Sequence, residues 1–179
     1  SGKAMSKAYL ILRALRTPNE AVLVSAYKIY IRSILEHGST VYSPVFDKDI
    51  NILEKAQNYF TRRIYTRCRG KNYQNMPRSV IRNKALQLLS LQDRRKETDL
   101  RMLIKLVFGF TKLSDRKNHH FKMCPSYTRG SPFKFTYRNP TNSVRANAFS
   151  IRSAKQFNVA FKTRQIPLSL FQSIRKKHL

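Results

Sequence analysis

Asp47 and Asp49 stand one residue apart in "FDKDINILEKAQ", and closely placed carboxylates are what polymerases and nucleases use to hold Mg²⁺. Two-metal chemistry needs carboxylates that converge on ions about 3.5–4 Å apart, usually from separate elements. Here Lys48 lies between the pair, Asp47 sits where a capping side chain belongs, and Asp49 and Glu54 fall in early turns that a helix dipole favours for acids. "DKD" is therefore expected to start a helix, with no metal held there. His119, His120 and Cys124 invite a zinc reading, but a structural site wants four ligands, usually as two spaced pairs. Only Cys68 and His37 remain to complete a set, and neither is suitably spaced, so a basic loop is expected. Cys68 has Arg67 and Arg69 beside it, neighbours that would lower a thiol's pKa and mark an oxidation-sensitive site. No His–acid arrangement accompanies it. Neither a cofactor nor a small-molecule substrate is expected, and no coherent set of acid, base and nucleophile is visible.

The chemistry that the sequence does carry is phosphate binding. Thirty-six Lys and Arg face nine Asp and Glu, a net charge of +27 over 179 residues. All nine acids lie at or before Asp115, while residues 116–179 hold fourteen basic residues and no acid. Such a surface points to nucleic acid as partner. An anionic membrane is the competing partner, but no apolar run approaches the roughly 18 residues of a spanning helix. The candidate phosphate ligands are Arg62, Arg63, Arg67, Arg69 and Lys71 in "TRRIYTRCRGK", Arg94, Arg95 and Lys96 in "DRRKET", Arg129, Arg152, and Arg175, Lys176 and Lys177 near the C-terminus. Guanidinium and ammonium groups bind phosphates and release counterions, giving affinity without sequence readout. Tyr65, Tyr73 and Tyr127 lie among these charges as candidates for stacking on unpaired bases. Two alternatives stay open: Arg94 or Arg95 pairs with Asp99 instead, and Arg152 pairs inside the fold with an acid of the first half.

Helices must position these groups. Residues 4–16 place Met5, Tyr9, Leu12 and Leu15 on one stripe. "TPNE" follows, with Thr17 as cap, Pro18 at the first helical position and Glu20 at capping-box spacing. A second helix is expected over 18–36, with Leu23, Ala26, Tyr27, Tyr30, Ile31 and Ile34 facing the core and Gly38 as its stop. A third carries Leu53, Ala56, Phe60 and Ile64, with Arg62, Arg63 and Arg67 toward solvent and Tyr59 on the flank. Short connections suggest a compact bundle. Beyond "RCRGKNYQNMPRS", one helical pattern offers Val80, Ile81, Ala85, Leu88 and Leu89, and the next Leu100, Leu103, Ile104, Val107 and Phe108. "FKFTYR" (133–138) alternates like a short strand. "SVRANAFSIRSAKQFNVAF" is helical, with Phe149, Phe157 and Phe161 as core, and a short basic helix ends the chain. Two Cys 56 positions apart with no signal peptide read as thiols, not a disulfide. Ser1-Gly2 reads as a cloning remnant, so the chain is expected to be a segment of a larger protein.

"YKIYIRSILEHGSTVYSPVFDKDINILEKAQNYFTRRI" resembles the region after the polymerase palm in non-LTR (LINE-type, jockey-like) retrotransposon reverse transcriptases. The likeness runs through Tyr27, Lys28, Arg32, Leu35, Glu36, Ser39, Val41, Ser43 and Pro44, then Asp49, Ile50, Leu53, Glu54, Gln57, Phe60, Thr61, Arg62 or Arg63, and Ile64. It continues through Leu88, Ser90, Leu91, Arg94, Arg95, Asp99, Leu100, Lys105 and Gly109, and again through Phe149, Arg152, Asn158 and Pro167. His37 replaces the usual Tyr, while Tyr42 and Phe157 replace Trp, which suggests a diverged or domesticated copy. The resemblance implies thumb helices that pack along a template–primer duplex and carry no phosphoryl-transfer carboxylates. The palm's Y-x-D-D box is absent from this sequence.

The expected fold is all-α, or mostly α: a thumb-like three-helix bundle over residues 1–68, then a basic helical subdomain over 69–179 with one short β-hairpin. The expected function is non-catalytic binding of structured RNA or an RNA–DNA duplex, with RNA favoured. The alternative is a domesticated remnant that binds a protein partner. Charge and resemblance together imply nuclear or nucleocytoplasmic residence.

Overall fold

The computed structural model describes residues 2–107, 111, 121–123 and 134–162. The chain is mostly helical: α1 (Gly2–Ala14), α2 (Glu20–Ala26), a π-turn (Tyr27–Ile31), α3 (Arg32–Glu36), α4 (Asp47–Arg69), α5 (Ser79–Ala85), α6 (Leu91–Val107), α7 (Ser143–Ala146) and α8 (Phe149–Lys162). Two short strands, β1 (Lys122–Met123) and β2 (Phe135–Thr136), pair antiparallel, with Lys122 opposite Thr136 and Met123 opposite Phe135. The chain divides into two units, Ser1–Arg95 and Lys96–Leu179. This boundary lies beyond the end of α4, where the sequence suggests one, because Leu86, Leu88 and Leu91 join the core built by α1–α4.

In the first unit α4 is the element on which α1, α2 and α5 pack. It starts at Asp47, as "DKD" implies, with Asp47 and Asp49 in its first turn. Asp47 is not the cap, however: Phe46 holds that position with no side-chain hydrogen bond. Gly70 ends the helix in the left-handed conformation that glycine adopts without steric cost, its N–H donating to the Tyr65 carbonyl. Ala56, Phe60 and Ile64 are buried as their spacing requires, and the buried face widens to include Gln57, Thr61 and Tyr65.

The cap of α2 is Asn19 in place of Thr17. Asn19 Oδ1 accepts from the Ala21 and Val22 N–H groups at 3.0 and 3.4 Å, while Thr17 Oγ1 accepts from the Asn19 N–H at 3.1 Å. Leu23, Ala26, Tyr27 and Ile31 are buried as expected, but Tyr30 and Ile34 are exposed and Leu35 is buried instead. The π-turn explains the change, since the Arg32 N–H reaches the Tyr27 carbonyl five residues back. Residues 23, 27, 31 and 35 keep a spacing of four, which drifts by about 40° per step on a regular α-helix. The wide turn absorbs part of that drift and keeps the four on the core face. In α1, Ala4, Ala8, Ile11 and Leu12 are buried and Tyr9 is exposed. Small alanines let the helix approach its neighbours closely, and tyrosine goes outside.

A polar relay crosses this core. The Tyr27 hydroxyl donates to Gln57 Oε1 at 2.7 Å, and Gln57 Nε2 donates to the Leu89 carbonyl at 3.0 Å. Burial holds the Tyr27 hydroxyl well above its ordinary pKa, so it is a donor at all working pH.

The second unit has its own small core of Leu103, Phe135, Ala154, Phe157 and Ala160, which confirms Phe157 as a core residue. Phe135 and Phe157 meet edge to face at 4.8 Å. Asn158 pairs with both backbone groups of Phe135, accepting from its N–H at 2.9 Å and donating to its carbonyl at 3.0 Å. The side chains of Val107 and Phe161, together with Phe108, fall outside the described residues.

Tyr27→Phe leaves the Gln57 oxygen buried without a donor and is expected to lower unfolding free energy by about 1–3 kcal/mol. Urea denaturation followed by circular dichroism checks this, and an unchanged midpoint would sink the relay's role.

Candidate nucleic-acid interface

A guanidinium fork suits a phosphate outside the protein or a carbonyl or carboxylate within it, and the sequence cannot say which. The structure sorts the candidate cations into two groups. Arg67, on the last turns of α4, turns back to the end of α1, donating to the Leu12 carbonyl at 2.8 Å and to the Leu15 carbonyl. These are the carbonyls that a helix leaves unsatisfied at its C-terminus. Arg69 grips Glu20 with two hydrogen bonds of 2.8 Å and lies 4.4 Å from the Tyr65 ring centroid. Arg94 pairs with Glu36 across two bonds, and Arg95 is buried and donates to the Leu35 carbonyl at 3.2 Å. Asp99 takes neither of them. It is buried and receives Arg152 through two bonds of 2.7 and 3.1 Å, while Arg152 also donates to the Asn147 carbonyl. Arg95 and Arg152 are thus fastened inside the fold, a correction to their reading as phosphate ligands; Arg94 is half-buried on Glu36, and Arg67 and Arg69 stay exposed while making their internal bonds.

Tyr65 is corrected as well. It is 3% exposed, its ring packed in the core and covered by Arg69, so no base can reach it. Arg129, Arg175, Lys176, Lys177 and Tyr127 lie outside the described residues, as do His119, His120 and Cys124.

The second group faces outward. Arg62 and Arg63 are exposed on the solvent side of α4, Arg63 lying 5.5 Å from the half-buried Tyr59 ring. Lys71 is exposed just past Gly70, and Tyr73 stands 81% exposed on the loop, its ring centroid 5.8 Å from the Arg62 guanidinium. Among the described residues, no carboxylate pairs with Arg62, Arg63 or Lys71. Lys96 is exposed on α6, in the second unit.

Sequence reasoning passed over two residues here, Arg78 and Arg82. It expects Val80, Ile81 and Leu89 to be core, yet all three are exposed, and α5 turns Arg82 and Asn83 inward. The helix is only seven residues long, so its ends decide its roll. Leu86 and Leu88 must reach the core, and they bring the face of Ser79, Arg82 and Asn83 in with them. Gln87 makes the bend possible with a φ of 52°, allowing the Leu88 N–H to reach the Asn83 carbonyl at 2.8 Å. The spacing 79, 82, 83, 86 is itself helical, and only the residue types hide it.

The reading of Cys68 is reversed. Burial raises its thiol above the ordinary value, Glu20 adds to that, and Arg67 and Arg69 only partly oppose it. Among the described residues no three His, Cys, Asp or Glu side chains are placed to hold a metal, and no helix is long and apolar enough to cross a membrane.

No family model and no solved structure matches the chain. Over 96 residues it is 29% identical to an uncharacterized protein of Caenorhabditis elegans, covering 50% of this chain and 48% of that protein. The match spans about half the length of that relative.

Two outcomes follow. Arg152→Gln leaves Asp99 as an uncompensated buried charge and is expected to cost about 3–5 kcal/mol of stability, whereas Arg63→Gln stays within about 0.5 kcal/mol. Urea midpoints read the contrast, and equal shifts would contradict the sorting. In a Cys124→Ser background, Cys68 is expected to react with a disulfide reagent at about pH 7 more slowly than free cysteine. The rate should keep rising through the ordinary thiol range, because the raised pKa holds the thiolate back. A faster reaction than free cysteine would refute the burial effect.

Proposed function

We propose that this chain is a non-catalytic nucleic-acid-binding module of the non-LTR reverse-transcriptase type, binding structured RNA or an RNA–DNA duplex through its phosphates. The observation that carries the reading is the outward face of α4 and the loop after it. There Arg62, Arg63 and Lys71 present cations without carboxylate partners, next to an exposed aromatic ring at Tyr73. Elsewhere Glu36 and Asp99 hold Arg94 and Arg152, while Arg62, Arg63 and Lys71 stand without the offset that an acid gives. Phosphate contacts of this kind give shape-tolerant affinity, and the ring offers a surface for an unpaired base.

The resemblance to thumb helices supports the same reading. Several residues that carry it hold each other in place: Tyr27 with Gln57, Glu36 with Arg94, and Asp99 with Arg152. In a retroelement setting the module would position template and primer, and the chemistry would belong to a palm domain. Nuclear or nucleocytoplasmic residence belongs to this reading.

A second reading, a domesticated remnant that binds a protein, is favoured by one feature. Val41, Tyr42, Val45 and Phe46 are all exposed in the segment between α3 and α4, more apolar surface than a short connection needs.

Fluorescence anisotropy of the full chain with hairpin RNA, single-stranded RNA, duplex DNA and RNA–DNA hybrid across a salt series separates the two. The expected result is hairpin RNA or hybrid bound about tenfold tighter than the others near 0.2 M salt. Arg62→Gln with Arg63→Gln is expected to weaken that binding about tenfold and to flatten the log–log salt slope by about 1.4–1.8. Equal binding of all forms that vanishes together as salt rises would reject the RNA reading and favour a protein partner.

A further inference from the structure

Arg82 is the only residue among the described ones whose burial is hard to reconcile with its charge. It is 2% exposed and makes no ion pair. Nη1 donates to the Pro77 carbonyl, Nε makes a long 3.5 Å contact to Thr61 Oγ1, and Nη2 has no partner. Desolvation lowers its pKa, and the neighbouring Arg62 lowers it further, so the nearest charge has the wrong sign. A buried cation without a counter-charge is costly, and proteins ordinarily supply a carboxylate or an anionic ligand.

Beside Arg82 lies a cavity that is open to solvent. Arg82 lines this cavity of about 460 Å³ between α4 and α5, together with Asn58, Arg62, Tyr73, Met76 and Arg78. The volume falls within the roughly 300–1,000 Å³ of small-ligand sites. Its wall is mixed in a specific way. Three arginines line it, Tyr73 and Met76 supply apolar surface, and Asn58, also in its lining, carries a buried Oδ1 with no donor. An inorganic anion would answer the arginines and leave both the carboxamide oxygen and the ring unused. A group that joins a phosphate to a planar, amine- or imide-bearing ring answers all three.

We propose that this cavity is a pocket for one unpaired nucleotide, its phosphate held by Arg82, Arg62 and Arg78 and its base laid on Tyr73. The inference rests on the nucleic-acid reading above and adds to it a single-stranded subsite within the first unit. Base stacking tolerates any base, so the pocket selects unpaired over paired nucleotides more than one sequence over another.

The test uses the full chain, with uridine monophosphate, inorganic phosphate and a phosphoserine peptide as probes, followed by NMR through the arginine Nε–Hε signals. Uridine monophosphate is expected to shift the Arg82 signal and to bind about tenfold tighter than inorganic phosphate. Tyr73→Ala, at an exposed position that the fold does not need, is expected to remove most of that margin. Arg62→Gln is expected to weaken both phosphate probes. Arg82→Lys retains a cation if Arg82→Met fails to fold, and is expected to lose the two-pronged grip and bind the nucleotide more weakly. Equal affinity for nucleotide and phosphate, untouched by Tyr73→Ala, would overturn the proposal and leave a generic anion hole. Tighter binding of the phosphoserine peptide than of the nucleotide would overturn it in favour of a protein ligand. The two readings fail separately. Hairpin RNA that binds equally well to Arg78→Gln and Arg82→Lys, with no shift at Arg82, removes the pocket and leaves the wider interface standing. Nucleotide binding without any hairpin or hybrid binding keeps the pocket and removes the wider interface.

Discussion

Carboxylates are the scarce component of this molecule, and their placement governs everything else. Nine acids share a chain with thirty-six Lys and Arg, so most cations cannot have an anionic partner. Three of the nine are used at long range. Glu20–Arg69, Glu36–Arg94 and Asp99–Arg152 join residues 49, 58 and 53 positions apart. Such pairs close large loops and orient whole helices. A pair at the surface contributes little by itself, but the buried Asp99–Arg152 pair strongly penalises any arrangement that separates it. The same scarcity leaves Arg62 and Arg63 on α4 without a carboxylate partner among the described residues.

Much of the architecture was legible in the sequence. The helical periods of residues 4–16, 18–36 and 47–69, the glycines that stop helices, and the helix-starting role of "DKD" all follow from spacing and residue type. Local deviations escaped because period alone cannot detect them. Tyr30 and Ile34 were read as core because a regular helix would bury them, and nothing in "YKIYI" announces a widened turn. Val80 and Ile81 were read as core because they are apolar, yet the roll of so short a helix is set by Leu86 and Leu88 beyond its end.

The interface was less legible than the fold, and the cause lies in the chemistry of arginine. Arg62 and Arg67 are five residues apart on one helix and identical in type, yet one faces solvent and the other closes the end of α1. The charge count marks the chain as strongly basic, but assigning each residue requires knowing which carbonyls and carboxylates lie within reach. Arg82 shows the opposite failure, an arginine hidden among apolar neighbours in sequence that becomes a buried charge with no carboxylate partner among the described residues.

The widened turn at Tyr27–Ile31 fixes how the chain after it is rotated about the helix axis. It acts as a phase shifter between α2 and α3: one residue more than a regular helix would use, placed where it re-aims all that follows. Removing a single residue there would restore ordinary helical hydrogen bonding and make the local structure more regular. Closing the turn into regular helix at unchanged length would instead rotate everything downstream by about 100°, carrying Leu35 out of the core and swinging Glu36 away from Arg94. An irregularity in the backbone is thereby what keeps the distant ion pair in register.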